Sequence, residues 1–356
     1  MIGRPRPNIA ALPAYRPGKG AAQAEAEHGI VNAIKLASNE TPWGPVPSVV
    51  AAVQAAATTT NRYADHRASE LRAALAGWVG LDVERVTVGC GSVGLLQQLL
   101  LTYVDPGDEV LYPWRSFEVY PVYTALVGGV AVTTPLRDAT FDLEAVVAAV
   151  TERTKLIILA NPNNPTGTAL PMSDIAALLD RVDPSIIVVL DEAYREFMSD
   201  ELGNPVPDLI DRYDNLCVLR TFSKAQGLAA LRVGYAMGHP EVIESIDKTL
   251  FPFAVNGLAQ VAAMASIEAH DEVMERVSRI IAERDRVVAA LQDAGWQIPK
   301  PEANFVYLDL GSRTDEVYLD LERSGVVTRP FSGEGIRVTI STPEENDRFL
   351  AALLGR

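Results

Sequence analysis

The sequence predicts an α/β fold, with a large doubly wound, mostly parallel sheet and a smaller α+β domain. Strand-like and helix-like segments alternate over residues 80–240, which is typical of a parallel sheet covered by helices. Several of these strands are continuously apolar, as at 156–160 and 186–190, which indicates burial on both faces. At roughly 150 residues per domain, the length of 356 residues favours two domains.

The elements of the large domain follow in order along the chain. Short β-branched stretches predict the strands, and longer amphipathic or apolar stretches predict the helices. We expect strands at 86–89, 109–113, 130–136, 154–162, 185–194 and 215–223. We expect helices at 94–104, between the second and third strands, and at 173–182.

The pattern changes near residue 250. A Pro- and Gly-bearing break at 251–257 precedes a long helical pattern over 258–295. Shorter strand signals follow at 304–310, 325–331 and 336–341. These features predict three segments, namely an N-terminal arm (1–40) that packs on the small domain, a large domain (41–250) and a small α+β domain (251–356).

Composition excludes several classes of protein. Hydrophobic residues make up 48% and charged residues 22%, so the chain is neither disordered, nor a collagen, nor a disulfide scaffold. The net charge of −15 repels phosphate backbones and argues against nucleic acid as a partner. The longest apolar runs fall far short of the roughly 18 residues that span a bilayer, so we expect no membrane insertion.

The few metal-binding or redox-active residue types give no site. Cys90 and Cys217 lie in apolar, strand-like stretches without a second Cys or a His at ligand spacing, so we predict two buried, reduced thiols and no metal. The four histidines are scattered. Residues 1–18 are Pro-rich and lack the apolar core of a signal peptide, so we expect a cytoplasmic protein.

Two polar motifs follow neighbouring apolar strands. Residues 161–167 (NPNNPTG) come directly after the strand at 154–160, and by themselves could be an ordinary strand-ending turn. Asp191 and Tyr194 (in DEAY) follow the next strand, at the edge where open α/β sheets bind ligands. Asp191 is there either a buried anion that needs a cationic partner or a helix N-cap.

Two further motifs supply a cation and an anion cradle. Thr221, Ser223 and Lys224 follow the strand at 215–220, and Arg232 comes eight residues after the lysine. Residues 89–94 (GCGSVG) form a glycine-rich turn before an apolar helix, where free backbone N–H groups can bind an anion. The turn has neither the Walker A nor the dinucleotide-binding spacing.

One chemistry uses all four motifs. A pyridine aldehyde phosphate needs an anion cradle, a carboxylate at its ring nitrogen, a donor at its ring hydroxyl and a lysine that binds the aldehyde covalently. Asp191 would keep the ring nitrogen protonated, Tyr194 and Asn164 would hold the ring oxygen, and Lys224 would bind the aldehyde. The phosphate would be neutralised by Ser92, Thr221, Ser223 and Arg232 and by the backbone of the turn at 91–94, which includes Val93.

These motifs together resemble the fold-type I pyridoxal-phosphate aminotransferases, which have the aspartate-aminotransferase-like fold. The resemblance rests on NPNNPTG, DEAY, TFSKAQGLAALRVGY and IRVTIS, and on the earlier YRPG, LASNETPWG and RYAD. It covers nearly the whole chain and is most similar to the histidinol-phosphate aminotransferase group. It implies pyridoxal 5′-phosphate as cofactor and small amino and keto acids as substrates.

The resemblance also implies roles for residues outside the four motifs. Tyr63 would reach the cofactor phosphate of a neighbouring subunit, which makes the active unit a homodimer with shared sites. Arg337 would bind the substrate α-carboxylate, and Phe117 would stack on the pyridine ring and contact the substrate. Tyr15 and Asn39 lie in family-like motifs and would contact substrate or serve the structure; the same two alternatives hold for Asn304.

The resemblance implies transamination, with Lys224 as the base that moves the substrate α proton. Val93 and Phe117 stand where that group usually carries a polar residue and a tyrosine. Both changes remove hydrogen-bonding capacity, so we expect aromatic amino acids, phenylalanine or tyrosine, with 2-oxoglutarate/glutamate as co-substrate. The alternative is a histidinol-phosphate aminotransferase. Two further hypotheses are a lyase or decarboxylase on the same scaffold and the effector domain of a transcription regulator.

Overall fold

The structure is a computed structural model that describes residues 3–12 and 18–355. Its strands are β1 Ile34–Lys35, β2 Val86–Gly89, β3 Glu109–Trp114, β4 Val130–Arg137, β5 Thr140–Phe141, β6 Thr154–Ala160, β7 Ile187–Asp191, β8 Leu216–Thr221, β9 Gly234–Met237, β10 Phe305–Asp309, β11 Val326–Val327, β12 Arg329–Phe331 and β13 Gly335–Thr339. Six of them match the strands predicted over 86–223 to within a few residues at each end. The prediction for the large sheet is therefore confirmed.

Helices alternate with these strands. They are α1 Pro7–Ala10, α2 Ala21–His28, α3 Pro47–Ala56, α4 Ser69–Val79, α5 Gly91–Tyr103, α6 Val119–Val127, α7 Leu143–Ala148, α8 Met172–Leu179, α9 Pro205–Asp208, α10 Pro240–Asp247, α11 Gly257–Glu268, α12 His270–Asp293, α13 Thr314–Arg323 and α14 Pro343–Leu354. Within the described ranges, no helix has both the length and the hydrophobicity of a membrane span.

Eight strands form one sheet in the order β2-β9-β8-β7-β6-β3-β4-β5. The neighbours from β8 to β4 are parallel, whereas β9 and the short edge strand β5 run antiparallel to them. Every residue of β7 and β8 is buried, because helices cover both faces of the sheet. The carboxyl ends of β2, β3, β6, β7 and β8 consequently meet at one edge.

The second part of the chain is built on a smaller antiparallel sheet, β10-β13-β12, in which Tyr307 faces Arg337 and Arg329 faces Arg337 on the other side. Helices α12 and α13 pack on this sheet, and α14 packs on both helices. This arrangement agrees with the predicted smaller α+β region. The fold class expected from the sequence, a large mostly parallel sheet with a smaller α+β part, is thus the observed one.

Two predicted elements are wrong in detail. The single helix expected over 258–295 is two helices, α11 and α12, that meet at Ala269. The bend lets α11 pack on α3 and α4 while α12 packs on α14. The single strand expected over 325–331 is also two, because β11 pairs with β1 whereas β12 pairs with β13. Hydrophobic pattern alone cannot show that consecutive segments have different partners.

The N-terminal segment reaches both parts of the molecule. Strand β1 pairs with β11, and Lys19 Nζ lies 2.6 Å from Glu27 and 2.7 Å from Glu322. Glu27, His28 and Glu322 lie close enough together to share a cation, and the Lys19 ammonium already lies between the two carboxylates. At the other end of the segment, Asn8 Nδ2 donates to the carbonyl of Ala125 in α6.

One of the two cysteine predictions is wrong. Both thiols are free, but Cys90 is exposed and only Cys217 is buried. Cys90 directly follows β2 and occupies the N-cap of α5. It therefore lies beyond the buried strand in which the apolar pattern placed it.

Candidate active site

A cavity of about 270 Å³ lies at the carboxyl edge of the large sheet, facing the smaller sheet. It brings together most of the residues singled out in the sequence. Those that line it are Ser92, Val93, Phe117, Asn164, Asp191, Tyr194, Thr221, Ser223, Lys224, Arg232 and Arg337. Strand ends from one sheet converge there because parallel strands share their carboxyl edge.

Asp191, the last residue of β7, lies at the floor of this cavity with 7% of its surface exposed. Its Oδ2 accepts a hydrogen bond from Tyr120 Oη at 3.0 Å, while Oδ1 is buried and has no hydrogen-bond partner among the described residues. Burial raises the pKa of the Asp191 carboxyl from 3.8 to about 6, although the Tyr120 hydrogen bond opposes the shift. An unpaired, buried carboxylate oxygen is a place where a cationic ligand group gains stability.

Tyr194 lies nearby, held by the N-terminal segment. Its hydroxyl accepts from Asn39 Nδ2 at 2.8 Å, and its ring packs edge-on against Phe305 with centroids 5.0 Å apart. Burial raises the pKa of Tyr194, so the phenol is a hydrogen-bond donor at neutral pH. Asn39 is fully buried, adopts a positive φ of 55°, and also bonds Thr339 of β13. It positions Tyr194 and does not line the cavity.

Lys224 extends into the cavity from the loop after β8. Its Nζ donates to the carbonyl of Ser38 at 3.0 Å and lies 5.8 Å from the Tyr194 ring centroid. Burial, and secondarily the positive charge of Arg337, lower the pKa of the Lys224 amine from 10.5 to about 7. A lysine with this pKa is partly neutral at physiological pH and can act as a nucleophile or a base.

The start of α5 forms an anion cradle. A Cβ on Gly234 would lie 2.4 Å from the backbone nitrogen of Ser92, and a Cβ on Gly91 would lie 2.7 Å from Arg232 Nη2. Arg232 also donates to Ser223 Oγ at 3.3 Å, and Thr221 Oγ1 donates to that hydroxyl at 3.0 Å. The glycines therefore let a guanidinium, two hydroxyls and a helix N-terminus converge, which is an arrangement that binds a phosphate.

Arg337 enters the cavity from the opposite side, on β13. It donates to Asn164 Oδ1 and, at 2.6 Å, to the carbonyl of Ala37. The side chain is buried, and its guanidinium lies 5.4 Å from the ring centroid of Phe305. A buried guanidinium that faces an open cavity can bind a carboxylate with two parallel hydrogen bonds.

Two predicted residues lie elsewhere in the described part of the chain. Tyr63 is 84% exposed and stacks on Phe253 with centroids 4.4 Å apart, so within one chain it does not reach the cavity. Asn304 donates to the carbonyl of Asn39 at 3.1 Å and does not line the cavity. Tyr15 lies outside the described residues.

Sequence reasoning missed a set of residues that complete the site. Tyr120 could have been found, because it follows Phe117 by three residues, within one helical turn, and packs against that ring. Glu118, Arg329 and Phe331 also line the cavity, but no local pattern connects segments 211 residues apart. They meet only because the smaller sheet packs across the cleft.

A buried ion pair lies beside the strand ends that carry the site. Arg220 Nε donates to Glu192 Oε2 at 2.8 Å, and its Nη2 donates to Asn204 at 2.9 Å. Glu192 and Arg220 directly adjoin Asp191 and Thr221 in sequence. The pair therefore links β7 and β8 at the point where both strands enter the site.

The site as a whole fits pyridoxal 5′-phosphate. The unpaired Oδ1 of Asp191 suits a protonated ring nitrogen, the cradle at Gly91 and Gly234 suits the phosphate, and the Lys224 amine suits the aldehyde. The matches at Asp191 and Lys224 rest on charge and reactivity, and the match at the cradle rests on space that any residue larger than glycine would fill.

Comparison with known proteins gives the same assignment. The family model for aminotransferase class I and II matches residues 31–353. An aromatic amino acid aminotransferase from Thermobifida fusca (strain YX) is 51% identical over 97% of this chain and 95% of its own length. One from Mycobacterium tuberculosis (strain H37Rv) is 47% identical over 98% of this chain and 97% of its own.

Solved structures are similar over the same extent. The histidinol-phosphate aminotransferase from Sinorhizobium meliloti in complex with pyridoxal-5′-phosphate superposes with a TM-score of 0.92 at 32% identity, covering 100% of this chain and 98% of its own. An aspartate aminotransferase mutant from Thermus thermophilus gives 0.84 at 26% identity, covering 99% and 100%. The chain therefore belongs to the aminotransferase class I and II family and has the fold type I architecture of these enzymes.

Proposed function

We propose that this pyridoxal-phosphate-dependent aminotransferase acts on aromatic amino acids, phenylalanine or tyrosine and their keto acids, with 2-oxoglutarate/glutamate as co-substrate. The observation that carries the transamination chemistry is the Lys224 amine, with its pKa lowered to about 7, in the same cavity as the unpaired oxygen of Asp191 and the guanidinium of Arg337. The reaction needs a base, an anion beside the cofactor's ring nitrogen and a cation that binds the substrate carboxylate. Lys224, Asp191 and Arg337 can supply these groups in that order.

Each residue has a proposed role in holding the cofactor. Asp191 would keep the ring nitrogen protonated, and Tyr194 and Asn164 would hold the ring oxygen, while Phe117 would supply an apolar face for the ring. The N-terminus of α5 would hold the phosphate, together with Ser92, Val93, Thr221, Ser223 and Arg232. When bound, the cofactor supplies an electron-accepting ring conjugated to the substrate's α carbon.

The chain's own residues move the proton and orient the substrate. Arg337 binds the α-carboxylate and so fixes the α carbon in the cavity that Lys224 enters from the loop after β8. Lys224 Nζ would accept the α proton from the substrate and deliver it to the carbon that the cofactor supplies, and would carry a proton the other way in the second half of the reaction. A pKa near 7 suits both directions of transfer. Orientation by Arg337 contributes in addition to basicity, since a misplaced α proton is not transferred.

The aromatic substrate class is supported by two observations. The relatives at 47–51% identity are named aromatic amino acid aminotransferases, and the cavity carries Val93, Phe117 and Phe331 on its walls. Apolar walls that exclude water suit a ring better than a phosphate. The alternative is histidinol-phosphate transamination, which the similarity to the Sinorhizobium meliloti enzyme favours.

Steady-state kinetics with the cofactor-loaded enzyme tests the proposal. We expect kcat/KM for phenylalanine, with 2-oxoglutarate as acceptor, to exceed kcat/KM for histidinol phosphate by at least about tenfold, a difference of about 1.4 kcal/mol. The visible absorbance of the bound cofactor should disappear on adding phenylalanine and return with 2-oxoglutarate. A higher kcat/KM for histidinol phosphate would establish the alternative.

We also propose a homodimer with shared sites. Tyr63 and Phe251 are 84% and 61% exposed, and Phe253 stacks on Tyr63 to extend the same apolar patch. A second copy would cover this patch and place Tyr63 at its partner's cofactor phosphate. Sedimentation of the purified protein should give a dimer, and a catalytically active monomer would contradict this. The three-segment division at residues 40 and 250 and the cytoplasmic location remain predictions.

A further inference from the structure

Two reciprocal ion pairs cross the cleft between the two sheets. Arg115 and Glu118 lie between β3 and α6, on the side of the large sheet, whereas Arg329 and Glu334 lie in and beside β12 of the smaller one. Arg115 makes two hydrogen bonds to Glu334, because Nε donates to Oε2 at 2.8 Å and Nη2 donates to Oε1. Arg329 Nη2 donates to Glu118 Oε2 at 2.5 Å.

The two pairs differ in their relation to the cavity. Glu118 and Arg329 both line it, together with Phe117 and Phe331, whereas neither member of the Arg115–Glu334 pair is part of its wall. The Arg329 guanidinium lies 5.9 Å from the centroid of the Phe331 ring. The substrate side-chain region is therefore bounded by two aromatic rings and one ion pair.

The members of the lining pair also differ in exposure. The Arg329 side chain is 17% exposed and the Glu118 side chain is 38% exposed. Because the Glu118 carboxylate is the more exposed partner, it can leave the pair and be hydrated by solvent more readily than the guanidinium can. If the pair exchanges partners, Arg329 stays on the cavity wall and Glu118 leaves it.

We infer that Glu118 determines the charge selectivity of the substrate side-chain site. While Glu118 is paired, its charge cancels that of Arg329, so the site accepts a neutral aromatic ring. When the dicarboxylate co-substrate enters, its distal carboxylate competes with Glu118 for the Arg329 guanidinium. The same competition weakens binding of any other anionic side chain, a phosphate included. This inference rests on the proposed function, since it assumes one aromatic and one dicarboxylic substrate.

The test is the variant Glu118→Gln, which keeps the shape of the side chain and removes its charge. We expect kcat/KM for glutamate and for histidinol phosphate to rise by about 5- to 10-fold, mainly through KM, because Arg329 loses a competing anion. The kcat/KM for phenylalanine should not rise and should fall, because the charge of Arg329 is then no longer cancelled beside the neutral ring. Glutarate, a dicarboxylate that cannot be transaminated, should bind about 5- to 10-fold more tightly, whereas 3-phenylpropanoate should not.

The matched control is Glu334→Gln, which breaks the other ion pair across the same cleft. Since Glu334 does not line the cavity, this variant should leave the ratio of glutamate to phenylalanine activity unchanged. An unchanged ratio in Glu118→Gln, or an equal change in both variants, overturns the inference while aromatic transamination by the wild type stands. A wild-type enzyme that does not accept phenylalanine overturns the proposed function and this inference together.

Discussion

The cofactor side and the substrate side of the cavity are built in different ways. The cofactor side consists of strand ends of the large sheet and the residues directly after them, as with Asp191 after β7 and Lys224 after β8. The substrate side is assembled from segments far apart in the chain, as where Arg337 meets Asn164 across 173 residues and Arg329 meets Glu118 across 211.

The two sides also differ in burial and in how they hold charge. Asp191 on the cofactor side is a deeply buried group with a strongly shifted pKa, and one of its oxygens has no hydrogen-bond partner in the part of the chain that the structure describes. On the substrate side the Glu118–Arg329 pair is closed and partly exposed. We therefore expect substitutions on the cofactor side to affect the chemical step and the substrate side to affect binding and substrate choice.

The largest expected effect is that of Lys224→Ala. Removing the base should lower kcat by roughly 10⁴-fold, the upper end of what general acid–base catalysis contributes. Single-turnover absorbance with phenylalanine measures it. The control is Lys248→Ala, an exposed lysine paired with Glu244 on α10's C-terminal turn, which should keep wild-type activity. Substantial turnover in Lys224→Ala would remove the proposed base and, with it, the contrast between the two sides.

Next in size is the pH dependence of stability that Asp191 contributes to the cofactor-free protein. Its pKa is about 6 when folded, above its ordinary value of 3.8, so the folded state binds more protons between these values. Stability therefore falls as pH rises from about 4 to about 6, by about 3 kcal/mol for a shift of roughly two units. Denaturant unfolding at pH 4, 5, 6 and 7 measures the change.

The variant Asp191→Asn isolates this contribution, because the amide does not titrate. Relative to Asp191→Asn, the wild type should lose about 3 kcal/mol of unfolding free energy between pH 4 and pH 7. Titration of Lys224 affects stability mainly above this range, because its pKa is lowered from 10.5 to about 7 in the folded protein. A pH-independent difference would show that the Asp191 carboxyl is not the desolvated group described above.

Arg337→Lys tests the substrate side. Lysine keeps the charge but cannot make two parallel hydrogen bonds to a carboxylate, so we expect KM for phenylalanine and for glutamate to rise about 30-fold, or about 2 kcal/mol. A binding role predicts that the fold-decrease in kcat is smaller than the fold-increase in KM. Arg348→Lys, an exposed arginine that bonds the carbonyl of Asn32, is the control. If kcat alone fell, Arg337 would belong with the catalytic side instead.

The smallest effect expected is that of Tyr120→Phe. This change removes the hydrogen bond to Asp191 Oδ2, which opposes the rise of the Asp191 pKa. The midpoint of the pH effect on stability should move upward, and kcat should fall about 3- to 10-fold, about 1 kcal/mol. The control is Tyr112→Phe, which removes another buried phenol. The ring centroid of Tyr112 lies 5.7 Å from that of Tyr120. Equal behaviour of the two variants would show that the bond to Asp191 has no such effect.

The sequence determined the large sheet and the cofactor side of the cavity. Apolar runs such as 156–160 and 186–190 identify strands that must be buried on both faces, and the carboxyl edge of a parallel sheet then fixes where Asp191, Tyr194 and Lys224 meet. These are local regularities, set by backbone hydrogen bonding and by burial, so a motif after each strand is enough to predict them.

The substrate side of the cavity could be identified only from the packing of the folded chain. Nothing in the local pattern shows that Glu118 meets Arg329, that Asn39 holds Tyr194, or that the helix expected over 258–295 bends at Ala269. These contacts depend on how the smaller sheet and the N-terminal segment pack across the cleft. Packing between remote segments is set by the shape and charge of whole surfaces, which a linear pattern of residues does not encode position by position.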